Sequence, residues 1–320
     1  MPRSKVIPAA ALVLAVAGIL GGPASQGRAT PPGSDGLIAY VRDVGHHSQL
    51  FTVHPDGTGE RQLTRLDGNA SMPHWSPGGD RIVFAVEHQR YCSVEIVNVD
   101  GSGLTDLIDD HKGCLTGPSF TPDGQRIVFE CFDDVNDVDT ICSADASGGD
   151  RRQLFPPSHA GVAAPVVSPD GGLVTFLRGP ALFAIGSDGS GMRRLTPNSW
   201  DILDKYDWSP DGARILVSTH HTHARLSANL ITIKPDGSGM KRLTHFTGGR
   251  RKAFAGSYSP DGKHIVFRFE QGNKLGQGNK LRKGNKAALA TIDPDGHNLR
   301  LLTKLGTTKP RYITWGTHVP

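Results

Sequence analysis

The chain has 320 residues, of which 21% are charged and 37% hydrophobic, and it carries 40 Gly and 22 Pro. That much Gly and Pro, with no long apolar helical pattern, excludes a helical bundle and fits an all-β chain rich in turns. The formal net charge is only +4, so a wholly basic surface is excluded and any basic partner surface is local.

Residues 1–29 read as a secretory signal peptide. Arg3 and Lys5 form a basic start, Val6 to Leu20 is apolar, and the small residues Gly21, Gly22, Ala24 and Ser25 follow, with cleavage expected between Ala24 and Ala29. The apolar run falls short of the ~20 residues of a spanning helix, so no transmembrane domain is expected after cleavage. No Cys follows it, which argues against a lipid anchor. Losing Arg3, Lys5 and Arg28 with the leader leaves a net charge of +1. Export to the periplasm or the medium is the expected localisation. Residues 30–35 read as a linker, and residues 36–320 as one repeat domain.

Leu37-Ile38-Ala39-Tyr40-Val41 reads as a first strand. Leu50-Phe51-Thr52-Val53 follows, then the turn Pro55-Asp56-Gly57-Thr58-Gly59 and the segment Arg61-Gln62-Leu63-Thr64. Next comes a corner, Trp75-Ser76-Pro77-Gly78-Gly79-Asp80, leading into Arg81-Ile82-Val83-Phe84. It recurs at Phe120-Thr121-Pro122-Asp123-Gly124, Val167-Ser168-Pro169-Asp170-Gly171, Trp208-Ser209-Pro210-Asp211-Gly212 and Tyr258-Ser259-Pro260-Asp261-Gly262. Its Ser/Thr positions are 45, 47, 41 and 50 residues apart, a period that marks a repeat architecture. Pro presets φ for the turn, Asp-Gly supplies a polar cap and a positive φ, and the apolar run starts the next strand. Each copy is therefore a hairpin corner, and its recurrence argues against a catalytic role.

Each repeat then encodes four strands: a, ending in the aromatic; b, after the corner; c; and d, ending in Leu-Thr. The Asp-Gly turn between c and d recurs at Asp100, Asp188, Asp236 and Asp295, while the copy at Ala146-Ser147-Gly148-Gly149 has lost its Asp-Gly pair. Six d strands are marked by Leu63, Leu107, Leu154, Leu195, Leu243 and Leu302, against five corners. Arg311-Tyr312-Ile313-Thr314-Trp315-Gly316-Thr317 reads as a sixth strand a with no b after it, and Leu37 opens a strand b with no a before it. The two ends complete one unit, and closure removes exposed sheet edges. The fold class is thus all-β, a six-bladed β-propeller closed by pairing of the N- and C-terminal strands in one blade.

The aromatic-Ser-Pro-Asp-Gly corner with the following Asp-Gly-Ser-Gly and Arg-Leu-Thr resembles the TolB-like propeller repeat, over about residues 36 to 317. The resemblance implies a six-bladed propeller and, as in TolB, a periplasmic scaffold that binds partner proteins. TolB proteins carry an extra N-terminal domain before the propeller; here a short linker stands in its place. Oligogalacturonate lyases look similar and imply the alternative, a propeller enzyme acting on carbohydrate or peptide, possibly metal-dependent.

In such a disc the a–b and c–d turns share one face. The irregular b–c loops and d–a connections lie on the other, where function concentrates. Histidines gather there: His46 and His47, His88, and His220, His221 and His223 in b–c loops, with His111, His159 and His245 in d–a connections. Imidazole ligates metals and titrates near neutrality, but polar solvated loops have the same composition, and no metal or other cofactor is expected. The stretch Gln271 to Lys286 repeats Gly-Asn-Lys and includes Lys280, Arg282 and Lys283; with Arg250 and Arg251 it marks a basic patch for an anionic partner. No aromatic residues interleave with these charges, so nucleic acid is not the expected partner. The acidic loop with Asp133, Asp134, Asn136, Asp137 and Asp139 lacks the Gly and terminal Glu of an EF-hand. His74 and Asp207 share a register just before Trp75 and Trp208 and are candidates to line the central channel.

The four cysteines allow three connectivities. The strand reading favours Cys131–Cys142, symmetric about a hairpin tip, and Cys92–Cys114; four buried thiols are the alternative. No Gly-x-Ser-x-Gly, His-Glu-x-x-His or phosphate-binding Gly loop is found. The function expected is that of an exported, non-catalytic, monomeric binding or scaffold propeller for a protein or an anionic cell-envelope polymer.

Overall fold

A computed structural model describes residues 33–109, 114–133, 136–159, 161–219, 228–272 and 285–318, with the backbone alone at 203, 204 and 255. Six four-stranded antiparallel sheets form the blades of one ring. Blade 1 contains β1 (Asp35–Val44), β2 (His47–Val53) and β3 (Arg61–Gln62). Blade 2 runs through β4 (Asn69–Trp75), β5 (Arg81–Glu87), β6 (Cys92–Asn98) and β7 (Thr105–Asp109). Blade 3 comprises β8 (Leu115–Phe120), β9 (Arg126–Asp133), β10 (Val138–Asp145) and β11 (Arg152–Gln153). Blade 4 follows with β12 (Ala163–Val167), β13 (Leu173–Arg178), β14 (Ala181–Gly186) and β15 (Arg193–Arg194). Blade 5 is built from β16 (Ile202–Trp208), β17 (Ile215–Thr219), β18 (Asn229–Ile233) and β19 (Lys241–Arg242). Blade 6 contributes β20 (Arg251–Tyr258), β21 (Ile265–Gln271), β22 (Lys286–Ile292) and β23 (Arg300–Leu301).

The last strand, β24 (Arg311–Thr317), returns to blade 1 and forms its inner strand. It pairs antiparallel with β1, placing Ile38 opposite Trp315 and Ala39 opposite Thr314. The complementary ends thus close the ring as the strand count requires.

Each corner is stapled by its hydroxyl. In the fifth blade the Ser209 hydroxyl donates to Asp211 Oδ1 at 2.6 Å and accepts the Arg214 N–H at 2.9 Å. Thr121, Ser168 and Ser259 make the same pair of bonds. In the Pro77-Gly78-Gly79-Asp80 corner the acid stands two residues later, and Ser76 reaches Asp80 at 2.7 Å instead. The c–d turns are held by their acids: Asp100 Oδ1 accepts the Ser102 N–H at 2.9 Å and its hydroxyl at 2.6 Å. Where Asp-Gly is lost, Asp145 replaces it, accepting the N–H groups of Ser147 and Gly149.

Two details differ from the sequence expectation. Most d strands are two residues long, and the Leu-Thr pair lies just beyond them; Thr64, Thr196, Thr244 and Thr303 use the side-chain oxygen to accept an N–H from strand c. Both expected disulfides are formed, but Cys131 and Cys142 are not symmetric about their hairpin. Cys131 faces Thr140 and Cys142 faces Phe129, because the strand register centres one residue earlier than midway between the cysteines, so the bridge runs diagonally. Cys92–Cys114 ties the start of β6 to the segment leading into β8, and so joins blade 2 to blade 3.

Apolar side chains fill the seams between blades. The seam of blades 6 and 1 buries Ile38, Tyr40, Val266, Leu289, Ile313 and Trp315, each large side chain contributing roughly 1.5–3 kcal/mol. Aromatics of the inner strands cross the seams: Trp75 Nε1 donates to Thr314 O at 3.3 Å, and Trp208 Nε1 to the Thr175 hydroxyl at 3.0 Å.

Candidate functional site

The inner strands place the two channel candidates. Side chains on an inner strand alternate between its two neighbours. Trp75 and Trp208 turn to the preceding blade, so His74 and Asp207 turn to the following one. His74 Nδ1 lies 3.1 Å from Trp75 O and 3.4 Å from the Phe120 N–H of blade 3. Asp207 Oδ2 accepts the Ser257 hydroxyl at 2.7 Å and the Tyr258 N–H at 3.0 Å, both from blade 6. Ser119 makes the equivalent bridge to Pro165 O at 2.9 Å. The shared register of His74 and Asp207 is therefore a position that ties one inner strand to the next, seen also at Ser119.

His74 also lines an axial cavity with Met72, Gly117, Ala164 and Lys205. That cavity has a volume of 20 Å³, room for about one water. Burial, with the Lys205 charge adding to it, holds the imidazole pKa down to about 3. Burial also lowers the Lys205 ammonium, and Asp207 partly opposes that shift. Lys205 was not singled out in the sequence; only its spacing of two from Asp207 signals that both sit on one face of β16.

The described ones among the other candidates sit on different blades of the loop-rich face. His46 is exposed in the β1–β2 turn, and His47 begins β2. His88 follows β5 in blade 2, where it stacks on Tyr91 with ring centroids 4.4 Å apart and lies 3.2 Å from the Ser93 hydroxyl. His159, before β12, has Nδ1 2.8 Å from Asp137 O. His245 is exposed between β19 and β20. Among the described residues no three His, Cys, Asp or Glu side chains form a metal-binding group. His111, His220, His221, His223, Lys280, Arg282, Lys283 and Asp134 lie outside the described residues, as do residues 1–32. Asp133, in the acidic hairpin, accepts from the Asn136 amide at 2.6 Å.

Of the basic candidates, the described Arg250 and Arg251 lie at the entry to β20 in blade 6. Arg250 and Arg251 are exposed, and the register runs from Arg251 to Gln271 to Lys286 across three strands. These three exposed residues form a row on one sheet face at the loop-rich end.

Two carboxyls, buried Glu95 and half-buried Glu130, belong to neighbouring blades 2 and 3. Burial raises Glu130 to about 7, against the opposing hydrogen bond from Thr116. Glu95 is raised to about 7 by burial and by its neighbour Asp106. No helix among the described residues is long and apolar enough to cross a membrane.

Comparison with known proteins matches this geometry to one family. The family described as TolB beta propeller domain matches residues 29–249. An uncharacterized protein of Agrobacterium fabrum is 28% identical over 160 residues, covering 47% of this chain and 53% of its own length. The chain thus spans about half the length of that curated relative. The crystal structure of TolB from Acinetobacter baumannii superposes with a TM-score of 0.69 and 19% identity, over 90% of this chain and 68% of that one. Oligogalacturonate lyase from Vibrio parahaemolyticus superposes with a TM-score of 0.55 and 12% identity, over 87% of this chain and 78% of the lyase. At such identities the two structures establish the fold and carry no activity across.

Proposed function

The chain belongs to the TolB β-propeller family, and we propose that it is an exported, non-catalytic binding propeller that seats an acidic protein or an anionic cell-envelope polymer on its loop-rich face. The observation that carries this reading is the pair of exposed cations Arg251 and Lys286, on one sheet face either side of Gln271, with Arg250 next in sequence. Flanking the neutral Gln271, their exposed charges make the local potential positive and favour an anionic partner. The repeated motifs are committed to corners, turns and seams, which leaves the b–c and d–a loops as the surface free to vary. The disulfides and the leader-like residues 1–29 support an oxidising, exported setting. The reading takes the propeller as a monomer without a cofactor.

Sedimentation of the purified protein with an isolated envelope fraction tests it. Retention is expected at low salt, with release as ionic strength rises, and Arg250→Glu with Arg251→Glu is expected to weaken retention at least about tenfold. Equal retention of the charge-reversed protein overturns the reading. The competing enzyme reading is supported by the likeness to the lyase and by the loop-face histidines. A stoichiometric transition metal in the purified protein, lost on His220→Ala with His221→Ala, would establish it instead.

A further inference from the structure

A cavity of about 400 Å³ opens on the corner face between blades 5 and 6. Pro210 and Pro260 line it from the two corners, and Pro294 from the c–d turn of blade 6. Tyr258, the aromatic that ends β20, also lines it. Tyr258 is 2% exposed, and among the described residues its hydroxyl has no hydrogen-bond partner. A buried phenol ordinarily finds one. The charges of Arg214 and Asp211 act on that hydroxyl, and both residues line the cavity, so the phenol points into it.

The preceding seam shows what Tyr258 lacks. Between blades 4 and 5 the corresponding cavity is smaller, about 150 Å³, and Trp208 lines it. There the aromatic is satisfied, because Trp208 Nε1 donates to the Thr175 hydroxyl at 3.0 Å. Thr175 faces Val166, and in blade 5 Leu216 takes the same place, facing Asp207. Leu216 packs in the core cluster of Tyr258 and offers it no polar atom. The rim of the larger cavity is acidic. Asp211 and Asp261 line it, and Asp35 Oδ1 accepts the Asp261 N–H at 3.3 Å. Burial and the Asp261 charge raise the Asp35 carboxyl, although Lys263 and His264 oppose the shift. Of the nearby cations, Arg214 donates to Thr232 and Gly239, and the exposed Lys263 pairs with Asp261 at 3.2 Å.

We propose that this cavity binds a small primary amine in its ammonium form, carried on a short aliphatic stem. The ammonium donates to Tyr258 Oη, the one polar atom of the wall that the fold leaves unfilled among the described residues. Asp35, Asp211 and Asp261 keep their present partners and supply the negative potential that favours a cation. The stem lies against the rings of Pro210, Pro260 and Pro294. The volume falls in the range of small-molecule sites, roughly 300–1,000 Å³. The cavity is on the face opposite the exposed cations Arg251 and Lys286, so this site and the binding of an anionic partner stand or fall separately.

Thermal unfolding of the full chain, with n-butylammonium chloride replacing sodium chloride at fixed ionic strength and neutral pH, tests the proposal. The midpoint is expected to rise by about 4 °C when the amine reaches about a hundredfold excess over its Kd. Ammonium chloride, which has the charge without the stem, and n-butanol, which has the stem without the charge, are expected to give no such rise. Tyr258→Phe keeps the ring and removes a hydroxyl that no described group holds, so the variant is expected to fold. Its half-saturating concentration is expected to be about tenfold higher. Asp35→Asn keeps an acceptor for the Asp261 N–H and removes a charge, and is expected to raise that concentration roughly threefold; should Tyr258→Phe fail to fold, this variant decides. No rise with n-butylammonium overturns the proposal, as does an equal rise with ammonium chloride or n-butanol. Half-saturation that Tyr258→Phe leaves unchanged overturns it too.

Discussion

Half-buried Glu130 and buried His74 are ionisable groups that respond to pH in opposite senses. Glu130 is raised by burial to about 7 from an ordinary value of 4.5. The folded protein therefore holds a proton that the unfolded chain has released, and stability falls as pH rises from about 4.5 through about 7. His74 is depressed by burial to about 3. Its ring stays neutral in the fold while the unfolded chain protonates below about 6.5, so stability falls as pH drops from there toward 3. Glu130→Gln mimics the protonated carboxyl and keeps an acceptor for the Thr116 hydroxyl, which now sits at 2.6 Å. Urea unfolding at pH 8 is expected to show the variant more stable than wild type by roughly 1–2 kcal/mol, with no gain at pH 4.5. An equal gain at both pH values would show that ionisation is not the cause.

At the scale of the strand and the turn, the corner hydroxyl is the critical atom. Ser209→Ala removes its bond to Asp211 and leaves the Arg214 N–H without its 2.9 Å acceptor. The expected loss is about 1–2 kcal/mol in chemical denaturation, and Ser209→Thr is expected to restore most of it, since Thr121 fills the same position in blade 3. A loss of the same size in the Thr variant would rule the hydroxyl out as the cause. These corners were legible in the sequence because a turn imposes its chemistry locally: Pro, Asp and Gly each answer a backbone demand within five residues. The register of the Cys131 hairpin was less legible, because centring the pairing one residue earlier shifts the facing partner by two and leaves the pattern of apolar positions unaltered. The cavity between blades 5 and 6 was not legible at all. Asp35, Asp211, Tyr258 and Pro294 are far apart in sequence, and only ring closure brings Asp35 against Asp261. Arg250 and Arg251 were legible as part of a basic patch because two neighbouring charges need no tertiary structure to be counted, and β20 then carries them to Lys286.

The molecule as a whole depends on its last strand. β24 contributes Ile313 and Trp315 to one seam, and Thr314 to the contact with blade 2. Gly316 occupies the place that Ser or Thr takes in the five regular corners, and a Cβ there would lie 2.4 Å from Trp75 Cδ2. This corner has thus lost its hydroxyl staple where the indole of blade 2 packs against the backbone of blade 1. Gly212, in a regular corner, poses a different problem: its φ is +70°, yet a Cβ would meet nothing nearer than 3.7 Å. Gly212→Ala is expected to cost about 1 kcal/mol, from backbone conformation alone. Gly316→Ala forces blades 1 and 2 apart or displaces Trp75, and overpacking of that kind costs about 1–3 kcal/mol. The two variants also differ in kind. Strain at Gly212 is local and leaves one cooperative transition at a lower midpoint. Strain at Gly316 acts on the seam that closes the ring, so unfolding is expected to broaden, with Trp75 fluorescence changing before far-ultraviolet circular dichroism. Coincident transitions in Gly316→Ala, with a midpoint no lower than that of Gly212→Ala, would show that closure tolerates the added methyl and that the ring is held elsewhere.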